Sequence, residues 1–231
     1  MSWILGIDTA SAELSIGLLH DGKPVISCSR YGRNAHAEHI TRAVNFVLDG
    51  GGISAGDISH AAIAVGPGSF TGLRIGIAFL KGFLLTRDIP VFPVSSLESM
   101  AEAYHGFSGT IIPVMDARHE NVFYARFTGE NGSLTRRNED QMMTVQSLSI
   151  SYKKNDTILV DTLGHTKSTL LSILREWGTV RSVDEIPLQR GLACAAIAQR
   201  SVDNTSAWKK SIDILPNYMQ PSYAEIKKTR K

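Results

Sequence analysis

The chain opens on three short runs of apolar residues interspersed with small or polar ones, residues 3–7, 14–19 and 24–29, each of strand length. His20-Asp21-Gly22-Lys23 between the last two is turn chemistry suited to a hairpin, so this stretch predicts a meander of antiparallel strands. The period then changes. From 37 to 48, Ile40, Ala43, Val44, Val47 and Leu48 recur at i, i+3, i+4, i+7 and i+8, which predicts a helix with one apolar face, stopped by Gly50-Gly51-Gly52. Residues 61–65 read as a buried strand, 71–85 as a helix and 91–94 as another strand. A further helix starts at Ser95-Ser96-Leu97-Glu98, where Ser and Glu have capping-box spacing.

The resulting order, βββαβαβα, is the ribonuclease-H-like arrangement from which actin, Hsp70 and sugar kinases are built twice over. Strands begin again at 110–115 and 122–127, followed by a polar turn at 129–132, a weaker strand at 141–145, a strand at 157–160, a helix at 168–177 and an alanine-rich helix at 192–202. The expected architecture is therefore α/β, an actin/Hsp70-like fold of two ribonuclease-H-like domains with the second reduced. The boundary falls near 106–109, giving residues 1–107 and 108–231.

The helix at 71–85 is apolar on more than one side. Leu73, Ile77, Leu80 and Leu84 form one stripe, and Ile75, Phe79, Gly82 and Phe83 form another on a different face. A helix apolar nearly all round has to be buried twice. In a small α/β domain the sheet covers one face, and the second needs a neighbouring helix, a domain or another subunit. Phe46 is similarly off the stripe of its own helix. Ile40, Phe46, Ile75, Phe79 and Phe83 are the candidate partner-interface residues.

Charge narrows the choice of partner. With 24 basic and 22 acidic side chains the formal net charge is +2, so no overall field grips a phosphate backbone. The basic end, Lys227, Lys228, Arg230 and Lys231, reads as a solvated tail. The two cysteines, Cys28 and Cys194, are far apart without CxxC spacing, which suits a reducing cytoplasm and neither a disulfide framework nor a zinc knuckle. No basic leader or membrane-length apolar run is present, so the expectation is a soluble, unprocessed cytoplasmic protein.

The stretch from Gly66 to Gly76, GPGSFTGLRIG, lies where a parallel strand turns into a helix, a junction whose amides can bind an anion. It is not a Walker A loop, because Leu73 and Arg74 follow Gly72, and Thr71 stands at the third glycine of the dinucleotide fingerprint. Its glycines fit tight packing as well as ligand binding, since Gly72 and Gly76 share one helix face. Asp8 and Thr9 stand where nucleotide-binding members of the superfamily place their first phosphate loop, and Asp8 could hold a metal through water; an Asx-type turn is the alternative. Asp8, Thr9, Ser69, Thr71 and Arg74 are the nucleotide or anion candidates. The other half of an ATP site is poorly represented by Met115-Asp116-Ala117-Arg118 and Leu163-Gly164-His165, so independent ATP hydrolysis is not expected. Asp116-Ala117-Arg118 remains open between a solvated turn, an intrachain ion pair and a ligand contact. His36-Ala37-Glu38-His39 lacks HExxH order and a third ligand and reads as polar residues opening a helix.

Taken in order, Ile4-Leu5-Gly6-Ile7-Asp8-Thr9, His36-Ala37-Glu38, Gly66 to Gly76, Lys81-Gly82, Val94-Ser95-Ser96-Leu97 and Asp116-Ala117-Arg118 closely resemble the TsaB family, also called YeaZ. The resemblance is strong to about residue 125 and rests beyond it on length and pattern, including Pro216 and Tyr218. Met219 and Gln220 depart from the family's ending, Asn121 stands where a Glu is frequent, and the second-half glycine turn is reduced around 161–164. The resemblance implies a non-catalytic scaffold or activator subunit for threonylcarbamoyl transfer to the adenosine next to the anticodon, in tRNAs that read codons beginning with A. It implies a TsaD-like catalytic paralogue and a TsaE-like ATPase as partners, contact with tRNA through the complex, and a homodimer when free. It implies no catalytic residue, metal or cofactor of the chain's own, with ATP and a divalent metal in the partner subunit, and docking through the two helices of the first domain. The competing classes are a self-sufficient ATP-dependent kinase or transferase of the same fold, and a metallopeptidase dependent on His36 and His39.

Overall fold

The computed structural model describes residues 2–32, 35–104, 106–151, 156–160, 179–182 and 189–219. The first sheet contains β1 (Trp3–Asp8), β2 (Glu13–His20), β3 (Lys23–Tyr31), β4 (His60–Gly66) and β5 (Val91–Ser95), in the order β3-β2-β1-β4-β5. The meander forms because Asp21 and Gly22 both take positive φ (46° and 78°), whose handedness matches the twist of the strands they join. The three antiparallel strands are β1 to β3, and β4 and β5 add in parallel to β1. Between them run α1 (Ala35–Gly50), α2 (Phe70–Phe83) and α3 (Ser96–Glu102), each within a few residues of its expected bounds.

The second sheet repeats this pairing. Strands β6 (Gly109–Arg118), β7 (Asn121–Tyr124), β10 (Gln141–Thr144), β11 (Thr157–Val160) and β12 (Thr179–Ser182) lie in the order β10-β7-β6-β11-β12, antiparallel, antiparallel, parallel, parallel. The strand expected at 122–127 is broken into β7 and β8 (Phe127–Glu130), both pairing with β6. At the break the Arg126 amide donates to the Asn138 side chain (2.6 Å) and its carbonyl accepts from the Arg137 amide (2.7 Å), so a side-chain contact replaces a ladder bond. Strand β9 (Ser133–Arg136) closes a hairpin on β8, and α4 (Val145–Ser151) follows β10. The helix expected at 168–177, the glycine turn at 161–164 and the basic tail lie outside the described residues.

Strand alternation sorts side chains into two cores on either side of the first sheet. Leu5, Ile7, Ile16, Leu18, Ala61 and Ile63 face α1 and α2, packing on Val44, Val47, Ile77 and Leu80. On the opposite face Ile4, Ala62 and Ala64 share one core with α3, with Ile111, Met115 and Leu159 of the second sheet, and with Cys194, Ala195 and Ala198. These last belong to α5 (Arg190–Gln199), the helix expected at 192–202. A linear division of the chain assigns α5 to the second half, yet it lies on β1 and β2. Small residues make this possible. Gly6 and Gly17 face each other across β1 and β2, and a Cβ on Gly6 would come within 2.0 Å of the Gly191 carbonyl oxygen. The Gly191 amide donates to the Ser15 hydroxyl at 3.0 Å.

Charged groups join the same parts at the rim. Arg200, which ends α5, donates two hydrogen bonds to Glu102 at the end of α3 (2.6 and 2.7 Å), and the Glu102 side chain is 3% exposed. At the start of α3 only half of the expected capping box forms. The Ser95 hydroxyl accepts from the Glu98 amide, but the Glu98 carboxylate turns to Arg136, which also binds Asp140. The Arg200→Met variant is expected to lose about 2 kcal/mol in urea unfolding, because a nearly buried carboxylate is left behind. The figure is below that for a fully buried pair since Arg200 is half-exposed and water reaches it. Adding Glu102→Gln should recover part of the loss.

Candidate functional site

The expected phosphate-loop position is filled by the protein itself. Asp8 is 1% exposed, and its carboxylate accepts from the Ala10 amide (2.8 Å) and lies 2.9 Å from the Ser99 hydroxyl, with Oδ1 closing an Asx-type turn. Thr9 is fully buried. Gly68, just before α2, and Gly72 and Gly76 within it lie against this loop: a Cβ on each would sit 2.3 Å from the Ala10 carbonyl oxygen, 2.1 Å from that of Thr9 and 2.2 Å from the Thr9 hydroxyl, respectively. The Ser69 amide donates to Ala10 O at 2.6 Å, and the Ser69 hydroxyl caps the helix by accepting from the Gly72 amide. Gly68, Gly72 and Gly76 of the motif thus allow the close approach of helix and loop, while Gly66 lies against the Asn217 carbonyl. Of the nucleotide or anion candidates, Asp8 and Thr9 lie in that contact, Ser69 caps the helix and Thr71 is exposed.

Behind the loop sits a buried polar group. Burial pushes the Glu13 carboxyl above the usual carboxylate range, opposed by the Arg190 guanidinium nearby. His36 places its Nε2 3.2 Å from the Glu13 carbonyl, while His39 sits beside Glu38 at 3.8 Å. Among the described residues no group of three or more His, Cys, Asp or Glu side chains is placed to hold a metal ion. Asp116 accepts from the Arg118 amide at the end of β6, with Ala117 between them buried.

The apolar candidates separate into three environments. Ile40 is 3% exposed and belongs to the core under α1, which corrects its place among interface residues: it lies on the same stripe as Ala43, Val44 and Val47. Ile75, Phe79 and Phe83 are half-buried along one flank of α2, with the two phenylalanine rings stacked at 5.7 Å. Gly82 on that flank is exposed, and an added Cβ there would meet nothing within 4 Å. Phe46 is 55% exposed on α1. It shares a helix flank with Gly50, which lies over Ile26 of β3, so it sits toward the edge strand and apart from α2.

Arg74 lies on the other flank of α2. Its guanidinium stacks 3.8 Å above the Phe70 ring, and its Nε donates to the Tyr218 hydroxyl at 2.8 Å. Tyr218 belongs to a strap that crosses the helix and is fixed by the Asn217 amide donating to Val65 O at 2.7 Å. Sequence reading gave no role to Phe70 or Lys81 and did not pair Tyr218 with Arg74; the only signal was a Pro-x-Tyr far along the chain.

Two ribonuclease-H-like sheets of matching strand order, each covered by helices on both sides of a shared core, define a protein of the actin/Hsp70 type. The profile of the TsaD family, tRNA N6-adenosine threonylcarbamoyltransferase, matches residues 30–170. The tRNA threonylcarbamoyladenosine biosynthesis protein TsaB of Bacillus subtilis is 34% identical over 166 residues, 71% of this chain and 72% of that protein. The Escherichia coli protein of the same name is 36% identical over 132 residues, 56% of this chain and 57% of that protein. The structure of YeaZ from Pseudomonas aeruginosa has the same fold, with a TM-score of 0.76 at 20% identity over 95% of this chain and 100% of that one. The chain belongs to the TsaB family, also called YeaZ. No helix among its described residues is long and apolar enough to cross a membrane.

Proposed function

We propose that this protein acts in tRNA threonylcarbamoyladenosine biosynthesis as a non-catalytic subunit, docking a TsaD-like catalytic paralogue through the outer flank of α2. The observation that carries the reading is the flank of Ile75, Phe79, Gly82 and Phe83: half-buried apolar side chains around an exposed helical glycine that no neighbour among the described residues requires. A glycine inside a helix costs about 1 kcal/mol relative to alanine, and a helix of another subunit laid across it gives the missing Cβ a purpose. The filled phosphate-loop position supports a subunit without nucleotide chemistry of its own. ATP and a divalent metal then belong to the paralogue, a TsaE-like ATPase joins the pair, and tRNA reading codons that begin with A is met through the assembly. When free, the same flank pairs two copies of the chain, and the work is done in the cytoplasm.

The test is threonylcarbamoyl transfer to unmodified tRNA, with the threonylcarbamoyl-adenylate donor and ATP, in three mixtures: this protein alone, TsaD-like and TsaE-like proteins alone, and all three. Transfer in the complete mixture only is the expected result. Transfer by this protein alone would make it the catalyst, and transfer that ignores its presence would remove it from the reaction.

A further inference from the structure

The flank of α2 opposite Phe79 forms an open groove between the helix and the strap, lined by Arg74, Ile77, Ala78, Lys81, Pro216 and Tyr218. Arg74 and Phe79 are five residues apart, about 140° around the helix, so the groove stays open when the Phe79 flank is covered. Ile77 forms an apolar floor at 5% exposure. Arg74 and Lys81 stand seven residues apart, about 10 Å along the axis, and among the described residues no acidic side chain lines the groove. Arg74 is held rather than free to swing. Its guanidinium lies 3.8 Å from the centre of the Phe70 ring and 5.6 Å from that of Tyr218, and its Nε is committed to the Tyr218 hydroxyl. That geometry leaves the two terminal amino groups of a positioned fork, the arrangement suited to bidentate binding of a carboxylate. Holding the fork in advance lowers the ordering cost of binding.

We infer that this groove is a second docking site, for an acidic amphipathic segment of a partner protein. One carboxylate pairs with Arg74, a second about two helical turns away reaches Lys81, and apolar side chains between them rest on Ile77, Ala78 and Pro216. The floor argues for a protein segment over a nucleic-acid strand, because a phosphate backbone gains nothing from Ile77 and Pro216 and two cations give it little grip. The chain's own residues 220–231 do not complement the groove, since Lys227, Lys228, Arg230 and Lys231 outnumber Glu225. The inference stands on the groove and does not depend on what covers the opposite flank.

A titration followed at the Arg74 Nε–H resonance tests it. The probes are a helical peptide with two glutamates seven residues apart and leucines between, the same peptide with glutamines, inorganic phosphate, and oligouridylate. The glutamate peptide is expected to saturate the signal, with binding weaker by about tenfold or more for the glutamine peptide, the scale of one charge-assisted hydrogen bond. The same loss, read from the peptide's fluorescence anisotropy, is expected in the Arg74→Met, Lys81→Met protein; both residues lie on the surface flank, and a matching melting curve confirms folding. Equal binding of the two peptides, no saturation by the glutamate peptide at millimolar concentration, or tighter binding of phosphate or oligouridylate would each overturn the proposal.

Discussion

Gly6→Val is expected to destabilise the protein by about 3 kcal/mol or more, beyond the usual range for overpacking, because the atoms in the way are backbone. A Cβ at Gly6 would stand 2.0 Å from the Gly191 carbonyl oxygen and 2.9 Å from the Ala195 amide nitrogen. Neither can move unless α5 lifts off the first sheet. Gly17 and Gly191 are in the same position, with Cβ distances of 2.4 Å to the Leu192 nitrogen and 2.7 Å to the Gly17 nitrogen. Urea unfolding gives the loss, and Cys194 reports its cause. That thiol is fully buried and burial pushes its pKa well up, so it is inert in the native protein. In Gly6→Val it should react with a thiol reagent at a rate set by the displacement of α5. An unreactive Cys194 beside an unchanged unfolding midpoint would show that the helix seats on the sheet by some other contact.

That seat explains what the sequence could and could not convey. A glycine inside a strand signals a close approach of another backbone, a signal present at Gly6 and Gly17 that the reading of these strands as plain apolar runs did not use. Nothing local named the partner, because Gly191 is 174 or more residues away and is matched to them only by the fold. The first half was legible because its local signals agree: the strand-length apolar runs of β1 and β2, the 3.6 period in α1 and the turn residues Asp21 and Gly22. The second half was less so. The break at Ala125 and Arg126 is made by Asn138, and β9 is a short polar strand exposed on a hairpin, with neither a long run nor an apolar face.

The candidate site was legible in its helix and only in part in its loop. Periodicity alone placed Phe79 and Phe83 off the buried stripe, and equally placed Ile40 on one. Asp8 and Thr9 have the residue types of a phosphate loop, but residue type does not reveal that Gly72 and Gly76 of α2 are packed against Thr9. Arg74 and Tyr218 are 144 residues apart, and only folding makes them one feature.

Gly82→Arg should separate docking from folding. Gly82 is exposed in the last turn of α2 and has open space where a side chain would begin, so arginine relieves part of the helix-propensity cost of glycine, up to about 1 kcal/mol, and the melting temperature should hold or rise. The same side chain stands on the flank of Ile75, Phe79 and Phe83, where it would hold off a partner helix. Binding of a TsaD-like subunit should then weaken about 100-fold, the order of 3 kcal/mol found at the centre of protein interfaces, and transfer to tRNA in the complete mixture should fall with it. Phe79→Asp should weaken binding at least as much, since it places an unpaired charge in the contact. Phe79 also packs on its own core, so part of that effect is lost stability, and Gly82→Arg carries the discrimination. Phe46→Asp adds the extent of the face: a matching loss carries the interface across α1 to the edge strand, and unchanged binding confines it to α2. A stable Gly82→Arg protein that still binds its partner at full affinity would move the docking site off this flank altogether.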